Sequence, residues 1–214
     1  AVGEFAEIKS DWNGVPLGYY VEEAYREGAA KVFGNTPEMM KFFANILAVE
    51  YPWNKYAQFV GRDYVSGAME NTTATIHQES AQQNARELVD GNRWEDVIAH
   101  EAFHHWFGNI VTTESWSNLT MNESFANYSE YLWQEYKYGR DAADAAPLAV
   151  AGLEDLRQEI LRGPVAVARD DALERHFGIG GVLAAELAVA ADFSRHARYL
   201  GGERVELIDH RVDG

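Results

Sequence analysis

The stretch NRWEDVIAHEAFHHWFGNIVTTESWSNLTMNESFANYSE, residues Asn92 to Glu130, decides how this chain is read. At its centre stand His100, Glu101 and His104. Histidines at i and i+4 on a helix share a face, so both imidazoles reach one metal ion, while Glu101, one residue round, can face a water beside it. Glu123 is the expected third ligand. It lies in a second helical run, Asn122 to Tyr138, and completes a His, His, Glu set for a single Zn2+ with one coordination position open. Catalysis needs that open position, whereas a structural site is closed. Glu130 follows two helical turns after Glu123 on the same face, placed to accept the free ring N–H of a liganding histidine and so fix its tautomer.

An HExxH match is short enough to arise by chance, so its setting matters. Asn92 and Glu95 have capping-box spacing, Val97, Phe103 and Phe107 supply apolar positions, and Gly108-Asn109 offers an end, which together predict a helix. His105 points about 100° away from His104 and is read as packing or as support behind the metal ligands. His77 is read as a hydrogen-bonded strand or loop histidine, since the ligand set is complete without it. Trp116, Leu119 and Met121 are expected to pack against the bases of the two ligand helices, and Tyr128, Tyr131, Leu132 and Tyr136 to form mostly core.

With 214 residues the chain can bury a proper core, as one domain or as a catalytic domain of two lobes. The absence of cysteine excludes disulfides, thiolate zinc sites and a Cys nucleophile, so the metal takes N and O ligands and the redox compartment stays open. A net charge of −16 argues against nucleic acid or an anionic membrane as partner. The acidic surface either simply solvates the protein or draws in cationic peptide N-termini. No apolar run reaches membrane-spanning length and no signal-peptide pattern opens the chain, so a soluble protein of undetermined compartment is expected. Beginning at Ala1, it is expected to be a processed, trimmed or engineered piece.

In chain order, Val2 to Lys9 and Val15 to Val21 read as a strand pair joined by a turn over Asp11 to Gly14. Glu22 to Phe33 reads as a helix stopped by Gly34, and Thr36-Pro37-Glu38 starts another that runs to Leu47. Tyr56 to Val65 and Thr72 to His77 are β-rich and bracket Gly67, Ala68, Met69, Glu70 and Asn71, which therefore fall at a strand edge or between strands. Ser80 to Asp90 is expected to be helical, Gly139 to cap the second ligand helix, and Ala142 to Arg162 to form one long helix. Val165 to Arg169 reads as a short strand, and Val182 to Tyr199 as a last helix.

By composition alone Gly67 to Asn71 is a turn with an exposed glutamate. Beside a metal site it has a second reading: small residues let an extended peptide lie alongside the backbone, and Glu70 pairs with a free α-ammonium group. The segments VSGAMENTTATIH (65–77) and IAHEAFHHWFGNIVTTESWSNLTMNESFANYSEYLW (98–133) resemble the gluzincin zinc aminopeptidases related to membrane alanyl aminopeptidase and leukotriene hydrolase. The likeness covers most of residues 1 to about 145, is expected to be to bacterial members in particular, and fades beyond. It implies hydrolysis of N-terminal residues from peptides, with Glu101 as general base and Gly67 to Asn71 binding the substrate's free N-terminus.

The same resemblance implies a thermolysin-like α+β catalytic domain. Residues 1–78 would form a β-rich lobe carrying the GAMEN motif, and residues 79–214 a helical lobe carrying the zinc site, divergent from about 146, with the cleft between them. Similar proteins carry a large β-domain before this point, which the chain is expected to lack. One departure stands out: the family's oxyanion-donating Tyr, two residues before Lys-Gly-Gly, aligns with Phe177 of Phe177-Gly178-Ile179-Gly180-Gly181. Loss of one such donor costs on the order of 10² to 10³ in rate. The alternative expectation is therefore a zinc-binding but catalytically weak or inactive trimmed or redesigned scaffold.

Overall fold

Asn13 and Gly14 both have positive φ, 54° and 84°, the conformation a two-residue hairpin loop demands and the reason Asn-Gly suits it. They join β1 (Ala6–Trp12) to β2 (Val15–Val21), antiparallel with Trp12 opposite Val15. The structure, a computed structural model, describes residues 2–116, 119–145 and 167–168. Beyond the hairpin lie β3 (Tyr56–Gly61), β4 (Ala68–Met69) and β5 (Ala74–Gln78), giving a five-stranded sheet of order β1-β2-β3-β5-β4. The β2–β3 and β3–β5 pairs are parallel, and β4 lies antiparallel on β5 at the sheet's edge. The fold is thus mixed α and β, and the Gly67 to Asn71 motif sits on an edge strand.

The parallel pairs require crossovers, and helices supply the first of them. A 3-10 turn over Glu23–Tyr25 precedes α1 (Arg26–Val32), so the expected single helix from Glu22 begins as a tighter turn. Next comes α2 (Thr36–Leu47), with Pro37 in its first turn and Met39, Met40, Phe43, Ala44 and Leu47 buried along one stripe. The metal-motif helix is α3 (Glu95–Phe103), followed by β6 (Thr112–Thr113), α4 (Thr120–Tyr138), α5 (Arg140–Asp144) and β7 (Val167–Ala168), which pairs with β6. An aromatic column ties these helices together: Phe43 meets Phe103 edge-on at 5.2 Å, Phe103 stacks on Phe107 at 5.3 Å, and Phe107 stacks on Phe125 at 4.8 Å.

Several expectations need correction. Asn92 does not cap α3. Its Oδ1 accepts from the Trp94 N–H and its amide donates to Val32 O, while Glu95 is buried as an acceptor for three other groups. Ser80 to Asp90 holds only 3-10 turns, at Glu79–Ala81 and Glu87–Asp90. There Asn84 Oδ1 takes the Arg86 and Glu87 amides, a side-chain competition that disfavours an α-helix. Helix α3 stops at Phe103, short of Gly108, because His105 and Trp106 bond back three residues rather than four. Trp116, expected to pack, is 85% exposed, and Leu119 is partly exposed. Tyr128, Tyr131 and Leu132 are buried, but Tyr136 is half exposed and stacks on Phe42 at 4.4 Å. The short strand near Val165 is found as β7, Gly139 does terminate α4, and α5 starts at Arg140. The rest of the long helix to Arg162, the helix from Val182 and Phe177 lie outside the described residues, as does the Met121 side chain. No described helix is long and apolar enough to cross a membrane.

His77 on β5 is fully buried in a relay. The indole N–H of Trp94, a donor only, gives to His77 Nδ1 at 3.2 Å, so the ring proton sits on Nε2 and goes to Gln58 Oε1 at 2.9 Å. The Gln58 amide then donates to Thr36 Oγ1 at 2.9 Å, joining β3, β5 and α2. Burial pushes His77 down from the ordinary 6.5 to about 3. Between those values the unfolded chain binds a proton that the folded one refuses, so stability is lost as pH falls through this window. In urea unfolding between pH 7 and pH 5, His77→Gln, whose amide can donate and accept in the same relay, is expected to lose stability less steeply than the unaltered protein, by about 1.4 kcal/mol per pH unit below pH ~6. Equal slopes would show that another group governs the acid limb.

Candidate active site

The loop that follows α3 exists to aim one ring. His104 ends the helix, and its Nδ1–H donates to Phe107 O at 2.8 Å, because a carbonyl can only accept. That bond turns Nε2 toward the cleft. A Cβ on Gly108 would lie 2.9 Å from His104 Nδ1, and φ there is +127°, so glycine makes room for the imidazole as well as for the turn. One turn earlier, His100 Nδ1–H donates to Glu130 Oε1 at 2.9 Å, fixing that ring with its Nε2 on the same side.

The remaining ligand candidate comes from α4. Glu123 Oε2 lies 3.3 Å from His100 Nε2 and 3.7 Å from His104 Nε2, and the two Nε2 atoms are 3.0 Å apart. All three ligand atoms fall within 4.8 Å of one another, the only such His/Asp/Glu group of three or more among the described residues. Lone pairs of two imidazoles and a carboxylate converging on one point suit a divalent cation of borderline softness, and the donor set fits zinc. The electrostatics agree that positive charge belongs there. Burial works against charging His100, but the Glu123 and Glu130 carboxylates outweigh it and push the ring up to about 10. The histidines in turn hold Glu123 well below the usual carboxylate range. Burial raises Glu130 despite its hydrogen bond to His100.

Glu101 points into the same cleft. It is buried, and its Oε2 has no hydrogen-bond partner. Burial, opposed by His100 and His104 and reinforced by the Glu70 and Glu123 charges, lifts it to about 7, a value suited to proton exchange near neutrality. The cleft measures about 630 Å³ and is lined by His100, Glu101, His104 and Glu123, by Gly67 to Glu70, and by Trp116 and Leu119. Trp116 and Leu119 thus line a groove rather than a helix base. Asn71 is exposed beyond the end of β4.

Two residues of this arrangement have partners that the sequence reading did not name. His105, read as packing or as support behind the metal ligands, donates from Nδ1 to Glu101 O and accepts the Thr73 N–H at Nε2, each at 3.1 Å. Burial pushes His105 down to about 4, which keeps it the neutral acceptor that Thr73 needs. Asn109, read only as part of a helix stop, donates from its amide to Glu70 O at 2.9 Å. Its sole sequence signal was adjacency to the metal motif.

A family model described as the peptidase family M1 domain matches residues 32–169. The chain belongs to this family. Among curated relatives it is similar to mouse (Mus musculus) aminopeptidase N, 38% identical over 141 residues that cover 63% of this chain and 15% of that protein. It is also similar to rat (Rattus norvegicus) glutamyl aminopeptidase, 31% identical over 183 residues, 81% of this chain and 18% of that protein. The chain therefore spans under a fifth of the length of these relatives. The expected likeness to bacterial members in particular is not borne out, since these M1 relatives are mammalian.

Gly108→Ala puts a methyl where the His104 ring lies. Its zinc affinity, measured by competition with a chromophoric chelator, is expected to fall by about 10- to 100-fold while the circular dichroism stays native. Unchanged affinity would show that the ring can shift without cost to the metal.

Proposed function

We propose that the chain is the catalytic part of a zinc aminopeptidase, removing N-terminal residues from peptides. The observation that carries this reading is the convergence of His100, His104 and Glu123 in one cleft with an unpartnered Glu101 oxygen and with Glu70 at the end of an edge strand. His100, His104 and Glu123 hold the ion, and Glu130 and Phe107 O orient the two rings. The chemistry that zinc supplies when bound is Lewis-acid activation of water and of the scissile carbonyl. Glu101 takes the proton from the attacking water at its free oxygen and returns it to the leaving amine. Gly67 to Asn71 bind the substrate: Ala68 and Met69 offer the unpaired edge of β4 to an extended peptide, and Glu70 pairs with its free α-ammonium group. Names of the M1 relatives support exopeptidase rather than endopeptidase action. The arrangement proposed is thermolysin-like, a β-rich lobe over 1–78 facing a helical lobe from 79 onward across the cleft.

Elemental analysis of the purified protein is expected to find about one zinc per chain, and His100→Ala or Glu123→Ala to lose it. Glu101→Gln is expected to keep the metal yet lose about 10²- to 10⁴-fold in hydrolysis of an aminoacyl chromogenic substrate, because the base is not a ligand. Equal zinc loss in that variant would mean Glu101 has been given the wrong role. N-acetylated peptides are expected to be poor substrates, and Glu70→Ala to raise KM and erase that discrimination, read from steady-state kinetics on blocked and free peptides. Efficient internal cleavage of blocked peptides would overturn the aminopeptidase reading.

A further inference from the structure

We propose that His105 and Asn109 are positioning residues that hold Glu70 at a set distance from the His100, His104 and Glu123 cluster, and thereby select which peptide bond reaches the metal. The inference rests on the reading of Glu70 as the anchor for the substrate amine. Strand β4 pairs only through Ala68 with His77 and Met69 with Ile76, so the ladder ends one residue before Glu70. Past it the turn closes on itself through Ala74 N–H to Asn71 O at 2.7 Å, and the sheet bonds it again only at its far end, at Thr73.

The ties that reach the turn from the metal-motif side come from the loop after α3. Asn109 reaches both ways: its N–H bonds the His104 carbonyl at 3.0 Å and its side-chain amide donates to the Glu70 carbonyl at 2.9 Å. His105 does the same with its ring, donating to the Glu101 carbonyl and accepting from Thr73 N–H. Two ties thus run from residues of the metal motif to either end of the Glu70–Thr73 turn. Each is short and each bonds a backbone group.

The turn itself carries strain that points the same way. Thr73 is β-branched yet has φ of 63°, a conformation such residues rarely adopt. Its N–H goes to His105 and its carbonyl accepts from Ala57 N at 2.9 Å, so it is held at both sides. The His105 ring is locked in turn: it packs against Tyr56 at 4.5 Å and Tyr51 at 5.6 Å, and Trp53 Nε1–H donates to its carbonyl at 3.1 Å. A strained residue kept in place by a buried, doubly bonded histidine is a built device for placement. Displacement of an anchor by about 1 Å can cost on the order of 10²-fold in rate, which makes such ties worth their strain.

The test uses the full zinc-loaded chain and two probes, leucinamide and N-acetyl-leucinamide, bound by calorimetry, together with amide exchange across residues 70–74 and across α3. The unaltered protein is expected to prefer the free amine; absence of preference would sink the anchor reading and leave the exchange data to judge the ties. Asn109→Leu, charge-neutral and near-isosteric, is expected to reduce the preference by about 10-fold, to speed exchange over residues 70–74, and to leave zinc content and α3 protection unchanged. His105→Leu is expected to act likewise, whereas His105→Gln, whose amide both accepts and donates, is expected to stay within about 3-fold of the unaltered protein. Slow exchange at residues 70–74 in both leucine variants would overturn the proposal. So would a His105→Gln variant as impaired as His105→Leu, since shape rather than the two hydrogen bonds would then matter.

Discussion

Glu95 is a buried carboxylate at the first turn of α3, and donors from two other helical segments close on it. Trp133 Nε1 at 2.8 Å and Tyr138 OH at 2.8 Å come from α4, and Asn35 Nδ2 at 2.9 Å comes from the residue before α2. A buried carboxylate is tolerated when its acceptor capacity is filled, and leaving a buried acceptor unsatisfied costs about 1–3 kcal/mol. The interaction therefore specifies one relative placement of α2, α3 and α4. With that placement given, the aromatic column from Phe43 to Phe125 closes over the apolar faces, and Glu123 arrives opposite His100 and His104.

The cleft concentrates negative charge around a point where positive charge is wanted. Glu70, Glu101, Glu123 and Glu130 all line it, and no lysine or arginine does among the described residues. Part of that charge is neutralised locally, by the His100 pairing with Glu130 and Glu123, and part is suppressed by burial, which lifts Glu101 toward neutrality. Two carboxylates of one cleft thus have opposite tendencies. The imidazoles beside Glu123 hold it well below the usual carboxylate range, while burial lifts Glu101 to about 7. The net charge of −16 belongs to the same picture, since it adds a field that favours cationic groups over anionic ones.

The sheet is joined to the loop after α3 by side chains that bond its backbone, and to the residue before α3 by a chain of side-chain pairs. An edge strand of two paired residues is a weak element by itself, and its registration depends on what lies across the cleft. The bonds from His105 and Asn109 tie the Glu70–Thr73 turn to the loop after α3. The buried relay from Trp94 through His77 and Gln58 to Thr36 performs a comparable service beneath, joining the residue that precedes α3 to the middle of the sheet.

Local patterns determined a good deal. The i, i+4 histidines, the glutamate between them, the second-helix Glu123 and Glu130, the Asn-Gly hairpin and the edge position of Gly67 to Asn71 follow from helical period, turn chemistry and strand alternation, all set by neighbours in the chain. What local patterns could not determine were the roles that depend on partners far along the chain. Asn92 has capping-box spacing, but its amide is taken by Val32 O; Glu95 looks like a capping residue and is instead a buried hub; Trp116 looks like core and is exposed. His105 and Asn109 carry no signal of their bonds to Thr73 and Glu70, because those bonds exist only once a sheet edge is laid beside the loop after α3. A buried hydrogen bond between residues some thirty to forty positions apart has no periodicity to announce it. Packing alone decides which polar group finds which, and burial then makes the choice costly to undo.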